Sequence, residues 1–275
     1  MNDDLRNQVA LVTGAGRGLG RAIALALARA GAAVGVVARS EVEVVESAGA
    51  IQQAGGEALA IVADVRDAAA VERATRQVAT ALGHVDLLVN NAATLGPLGP
   101  MWDANADDWW QAFEVNLRGP YLCSRAVLPG MIARRRGRII NLATTAATVA
   151  VAHMGAYVVA KTALIRFTEN LAAELLNSGV SVFAIDPGTV HTAMTQQVLE
   201  SEAGKKWLPW FPKLFEQGRD VPAEKAAQLV VRLASGWADA LSGRLLSVSD
   251  DLAKLLEQLE EIKRSGLYTL RVRKL

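Results

Sequence analysis

The sequence predicts a doubly wound α/β fold, a parallel sheet of about seven strands with helices on both faces, and two observations carry that prediction. Largely uninterrupted apolar, β-branched runs recur at residues 9–13, 34–37, 58–63, 85–89, 138–142, 180–185 and 245–248. Strands of that kind are covered on both faces. Between them lie alanine- and leucine-rich segments at 21–30, 41–54, 68–82, 107–135, 156–176 and 223–234, long enough to be helices that cross from one strand to the next.

At 275 residues and 51% hydrophobic composition, the chain can bury one large core. No repeat, low-complexity linker or composition break divides it, so residues 1–275 read as a single domain. Residues 192–221 break the rhythm with Trp207, Pro209, Trp210, Phe211, Pro212 and Phe215 and are expected to form a substrate lid. Residues 250–275 extend beyond the last strand: 250–264 carry apolar residues at helical spacing, and 267–272 look strand-like. That extension packs either on its own subunit or across a subunit interface.

Charge excludes several partner classes. Lys plus Arg number 29 against 28 Asp plus Glu, a net +1 that offers no global field to nucleic acid or an anionic membrane. A phosphate-bearing ligand would need local donors. The single cysteine, Cys123, forbids an intramolecular disulfide, and Asp3 and Asp4 stand where a signal peptide carries basic residues. A reducing cytoplasm is the expected location. The apolar stretch 22–38 is broken by Arg29 and glycines short of the ~20 residues that span a bilayer. His84, His153 and His191 are scattered without ligand spacing, so no metal is expected.

The first strand runs into Gly14-Ala15-Gly16-Arg17-Gly18-Leu19-Gly20 and then a helix. Glycines there allow a sharp turn and let a pyrophosphate approach the helix N-terminus, where free N–H groups favour negative charge. Later come Asp64, Asn90-Asn91-Ala92-Ala93, Asn116, Thr144, Tyr157-x-x-x-Lys161 and Pro187-Gly188. With these motifs the chain resembles the short-chain dehydrogenase/reductase family of Rossmann-type enzymes over nearly its whole length. It departs from the family pattern at Ala93, usually Gly, and at Thr144, usually Ser.

That resemblance implies an NAD(P)-dependent transfer of a hydride between nicotinamide and a ketone or secondary alcohol. It implies a catalytic set of Asn116, Thr144, Tyr157 and Lys161. Cofactor contacts are implied for Gly14, Gly16, Arg17, Gly18, Leu19, Gly20, Arg39, Asp64, Val65, Asn91, Ala92, Tyr157, Lys161, Pro187, Gly188, Val190 and Thr192. Asp64 would meet the adenine, and the Asn-Asn-Ala segment would lie along the ribose. Asn116 would anchor a water serving Lys161.

The chemistry suits the residue types. A hydride moving at a carbon that bears oxygen requires a proton to move at that oxygen, and Lys161, one helical turn from Tyr157, is expected to lower the phenol from its ordinary pKa near ~10. Thr144 keeps the hydroxyl that donates to a carbonyl, although Thr145 offers the same group. Other readings remain open: Asn90 as a backbone-bridging amide in the sheet, Asn116 at a helix kink before Gly119-Pro120, and His153 as a packing residue. Arg39, where an NAD site normally places an acid, favours NADP over NAD with Arg17 approaching from the other side, unless it is only a solvated charge.

The substrate is expected to be an uncharged or aromatic ketone, since no cation cluster awaits a carboxylate or phosphate. Imine or activated-alkene reduction is an alternative, as is a non-catalytic nucleotide-binding sensor or scaffold. A homodimer or homotetramer is expected, built on the helices of 107–135 and 156–176.

Overall fold

The computed structural model describes residues 4–272. Seven parallel strands form one sheet in the order β3-β2-β1-β4-β5-β6-β7. They are β1 (Val9–Thr13), β2 (Ala33–Ala38), β3 (Ala58–Val62), β4 (Leu87–Asn90), β5 (Gly137–Leu142), β6 (Val180–Asp186) and β7 (Leu245–Ser247). The order reverses between β1 and β4, and in such sheets ligands bind outside the carboxyl ends of the strands at that point.

Helices α1 (Gly18–Arg29), α2 (Glu41–Gln53) and α3 (Ala68–Ala81) make the crossovers of the first half. In the second half lie α4 (Ala106–Phe113), α5 (Gly119–Ala133), α6 (Gly155–Glu174), α7 (Ala193–Glu200), α8 (Glu202–Trp207), α9 (Pro212–Glu216), α10 (Ala223–Ala234), α11 (Leu252–Glu257) and α12 (Leu259–Ser265). Two large apolar layers hold the assembly together, one on each face of the sheet. Ile23, Leu27, Val230 and Leu233 from α1 and α10 meet Val12, Val34 and Phe183 on one side, and Val71, Val78, Val127 and Met131 meet Leu11, Leu88 and Ile139 on the other. Every position of β1 and β6 is buried, which explains their mostly apolar runs.

Several expectations need correction. The segment 107–135 is not one regular helix: between α4 and α5 a π-helical turn, Glu114–Arg118, inserts ahead of Gly119-Pro120, where Pro120 has no N–H to continue the regular ladder. The segment 250–264 is two short helices broken at Gln258, whose φ of −98° and ψ of 15° leave the helical range. Residues 267–272 form no strand; Tyr268 takes a left-handed φ of 61°, although its carbonyl accepts from Leu245 N–H at 2.8 Å at the edge of β7. Residues 273–275, the end of the expected extension, lie outside the described residues. The aromatic insertion at 192–221 is ordered into α7, α8 and α9. Helix α1 begins at Gly18, not at 21, because the last glycines of the loop already form its first turn.

Candidate active site

The glycine loop after β1 is shaped by close approach. A Cβ on Gly20 would lie 2.2 Å from the carbonyl oxygen of Gly14, and one on Gly16 would lie 2.7 Å from Cβ of Glu43. Only glycine permits that packing. Thr13 and Asn91 hold the loop to the end of β4: the Thr13 hydroxyl accepts from Asn91 and Ala92 N–H, and the Asn91 amide donates to the carbonyls of Thr13 and Gly14, both at 3.0 Å.

The N-cap of α1, Arg17, makes no side-chain cap, so no side chain at that position satisfies the first amides of the helix. Gly18 faces Thr192, whose Cγ2 lies 3.6 Å from where a Gly18 Cβ would be, so the loop after β6 closes over the glycine turn. A dinucleotide pyrophosphate fits this donor set, uncapped amides beside a turn with little side-chain bulk. Gly14, Gly16, Gly18, Leu19 and Gly20 would carry it.

Arg17 and Arg39 are both exposed. Arg17 pairs with Glu43 of α2 at 3.2 Å, and Arg39 lies near enough to Asp64 for its charge to help hold that carboxyl below the usual range. The larger cause is Arg66, which donates to both Asp64 oxygens. Asp64 is therefore an ion-paired group at the end of β3, and the adenine contact implied for it would have to share it with Arg66. Val65 is buried, and its side chain packs closely on Gly119 at the start of α5.

The polar residues between β4 and β5 are interlocked. Asn90 donates to Asn141 at 2.8 Å, and Asn141 donates to Thr168 of α6 at 2.9 Å. Asn90 thus bonds the side chains of Asn141 and Ser124 and not the backbone, which corrects the expectation of a backbone bridge, and Ala92 takes a place in the loop beyond them. Asn116 sits in the π-helical turn, donating to the Thr94 carbonyl at 2.7 Å and accepting from the Thr94 N–H. Both kink and tether are explained by it.

Tyr157 and Lys161 lie one turn apart on α6, with Lys161 Nζ 5.8 Å from the centre of the Tyr157 ring. Lys161 is buried, and its amine donates to the Leu142 carbonyl at the end of β5 at 2.6 Å. The expected tuning is reversed. Burial pushes Lys161 down to about 7, and burial together with the nearby Asp186 carboxylate pushes Tyr157 up to about 12. A lysine that has lost much of its charge to desolvation cannot lower a phenol that is itself desolvated.

Thr144 caps a short 3₁₀ turn, Thr145–Thr148, its hydroxyl accepting from Ala146 N–H. Thr162 of α6 donates to the Ala147 carbonyl at 2.7 Å, which fixes this turn against the helix that carries Tyr157. The Thr145 hydroxyl points elsewhere, donating to Asp186 at 2.8 Å. Sequence reasoning missed Asp186, although an acid closing an otherwise apolar strand just before Pro187-Gly188 was a usable signal. Glu43, the partner of Arg17, was missed for want of any local motif.

Pro187 and Gly188 follow β6, and Val190 is buried beyond them. Thr192 caps α7 through a reciprocal bond pair with Thr195. From there α7, α8 and α9 bring Met194, Val198, Leu208, Phe211 and Phe215 into one apolar cluster with Leu95, Met154 and Tyr157. His153, at a left-handed φ of 68°, lies with its ring 4.7 Å from Trp207 and has a buried Nδ1 without a partner. Among the described residues, no helix is long and apolar enough to cross a membrane, and no group of three His, Cys, Asp or Glu side chains is placed to hold a metal.

Known proteins share this sequence and this fold. Residues 8–203 match the short chain dehydrogenase family. A short chain dehydrogenase of Pseudocercospora fijiensis is 34% identical over 98% of this chain and 90% of its own length. The galactitol 2-dehydrogenase of Rhizobium johnstonii is 36% identical over 89% of this chain and 94% of its own. The crystal structure of a gluconate 5-dehydrogenase from Burkholderia cenocepacia, in complex with NADP and tartrate, superimposes with a TM-score of 0.81 at 30% identity, covering 92% of this chain and 98% of that one. With that sheet order, that glycine turn and those relatives, the chain belongs to the short-chain dehydrogenase/reductase family and is an NAD(P)-dependent oxidoreductase acting on a CH–OH group.

Proposed function

We propose that the protein is an NADP-dependent carbonyl reductase or alcohol dehydrogenase for an uncharged or aromatic ketone and its secondary alcohol, with Tyr157 as the acid/base. The observation that carries this reading is the position of Tyr157, one helical turn from a buried Lys161 and packed at the edge of the apolar cluster of α7, α8 and α9. When bound, the nicotinamide supplies or accepts the hydride.

Tyr157 gives its proton to the carbonyl oxygen during reduction and takes it back from the alcohol during oxidation. Thr144 donates a hydrogen bond to the same oxygen, held by the turn that Thr162 ties to α6. Lys161 braces α6 against β5 through Leu142 and would reach the nicotinamide ribose. Asn116 fixes the Thr94 loop at the mouth of the pocket. Residues 192–221 act as the lid, and their Leu208, Phe211 and Phe215 exclude water and receive an apolar substrate.

Arg39 and Arg17 favour NADP, since a 2′-phosphate near the end of β2 would meet two guanidinium groups, one of them shared with Glu43. Exposed Trp110, Tyr121 and Val159 on α4, α5 and α6 favour a homo-oligomer.

Purified protein is mixed with NADPH and a panel of aromatic and cyclic ketones, and cofactor absorbance is followed. Turnover of apolar ketones supports the reading. Binding of NADPH without turnover across the panel would instead mark a sensor or scaffold, and turnover confined to imines or activated alkenes would reassign the substrate class.

A further inference from the structure

Asp186 ends β6 with 6% of its surface exposed, and nothing in the reaction above uses it. A buried carboxylate persists only where donors hold it. One of its oxygens accepts from the Thr145 hydroxyl at 2.8 Å and the other from the Gly188 N–H at 3.2 Å. Neither donor is a cation, so hydrogen bonds hold the charge without cancelling it.

The two partners belong to different loops. Thr145 opens the 3₁₀ turn that Thr144 caps, and Gly188 lies in the loop that leads to Thr192 and the lid. Asp186 therefore joins the turn carrying the proposed carbonyl donor to the loop that closes the pocket. From the other side the turn is held by Thr162 of α6.

Few other charges face Tyr157. On its own helix is Lys161, which is bonded to Leu142, and in the loop before α6 is His153, stacked on Trp207. From β6 comes Asp186, and beyond β7 comes Asp250, which accepts from Ser247 N–H at 2.6 Å and is itself raised by burial and by Asp186. The lid and the Leu95 loop bring apolar side chains, with the His191 ring against Phe215, and α4 presents Trp109 and Ala112 at the start of α6.

We propose that Asp186 is a positioning residue, locking the Thr144 turn to the Gly188 loop beside Tyr157. The inference rests on Tyr157 being the acid/base. The Asp186 charge, which no cation cancels, adds to burial in opposing the Tyr157 phenolate, so removing it should let alcohol oxidation proceed at lower pH. During reduction, the carbonyl carbon gains the hydride and its oxygen gains the Tyr157 proton. The phenolate so formed, opposed by the Asp186 charge, regains a proton from solvent.

Asp186→Asn removes the charge and keeps an oxygen for Thr145, while its amide nitrogen cannot accept from the Gly188 N–H. The pH profile of alcohol oxidation should then move down by about one pH unit, making oxidation on the rising limb about tenfold faster at a given pH. Tyrosinate absorbance titrated in Asp186→Asn, with the Asp186→Asn/Tyr157→Phe double variant subtracted, should show the same shift without reliance on turnover. An unmoved titration overturns the electrostatic half of the proposal.

Thr145→Val removes the hydroxyl and leaves the charge, so kcat should fall about tenfold with the pH limb and NADPH affinity in place, and Thr145→Ser should restore it. Unchanged kcat in Thr145→Val overturns the positioning half, and this pair decides the matter if Asp186→Asn does not fold. Full activity in Tyr157→Phe would sink the underlying reading instead, so the two failures are told apart.

Discussion

Lys161 Nζ lies 2.6 Å from the Leu142 carbonyl oxygen, so the buried amine of α6 is tied to the last residue of β5. This bond satisfies one of the amine's donors and leaves the cost of burying its charge, which is why its pKa falls to about 7. Near neutral pH the amine is poised between its two forms, a state suited to passing protons and costly to stability.

That cost has a pH signature. In the folded chain Lys161 titrates near 7 and in the unfolded chain near its ordinary 10.5, so between those values the unfolded state binds more protons and stability rises with pH. Below pH 7 both states are protonated and the full penalty applies. Lys161→Met removes the dependence, so urea unfolding should show wild type gaining roughly 2 kcal/mol relative to the variant between pH 6.5 and 9. A constant difference over that range would show that the amine is not desolvated.

Tyr157→Phe should leave the fold and NADPH affinity nearly intact and lower kcat by roughly a thousandfold or more, because only the transferable proton is lost. Binding is read by NADPH fluorescence and turnover by single-turnover absorbance. Retention of more than about a tenth of wild-type kcat, with chemistry limiting, removes Tyr157 from its role.

Thr144→Ser should preserve turnover, whereas Thr144→Ala should lose it and also destabilise the fold by about 1 kcal/mol through the lost cap on Ala146 N–H. Kinetics and thermal melts on both variants check this. Greater loss of turnover in Thr144→Ser than in Thr144→Ala would show that the methyl, not the hydroxyl, matters.

Local pattern carried most of the fold and part of the site. The seven strands were legible because each is mostly apolar, a signal that needs no knowledge of neighbours, and the spacing of Tyr157 and Lys161 put them on one helix face. What the sequence hid depends on residues far apart in the chain. The π-helical turn arises where Asn116 is bonded in both directions to Thr94, 22 residues away, and no periodicity reports that tether. The sense of the Tyr157 shift is hidden in the sequence, which gives the charge of a lysine but not its burial. Asp186 meets Thr145 only after β5 and β6 pair, 41 residues apart in sequence.

Cofactor choice should follow the arginines. Arg39→Asp presents a like charge to a 2′-phosphate and should shift the NADP:NAD ratio of kcat/KM toward NAD by at least tenfold, about 1.4 kcal/mol. Glu43→Gln should move the ratio the other way, since Arg17 is released from its 3.2 Å pair to serve the phosphate. Unchanged ratios in both variants would count against the NADP reading.

The final prediction concerns the C-terminal segment, which is bound to α6 through one buried carboxylate. Glu169 is buried, with its side chain 7% exposed, and accepts from the Leu270 N–H at 2.7 Å, from Arg271 at 2.8 Å and from Arg166 one turn away. Its two arginine partners are about half exposed, which screens their attraction, but the Leu270 amide bond is shielded and holds the segment against β7, where Tyr268 already bonds Leu245. Glu169→Gln keeps one acceptor for Leu270 and removes the charge that the two guanidinium groups share. It should destabilise the chain by about 1–3 kcal/mol, with the larger loss in Glu169→Ala, where the Leu270 amide also loses its acceptor. Deleting residues 267–275 should cost at least as much in melting temperature, and if the segment lies at a subunit contact, light scattering will show a lower mass for the deletion but not for Glu169→Gln. A deletion that melts like wild type would mean that the segment covers nothing the core needs.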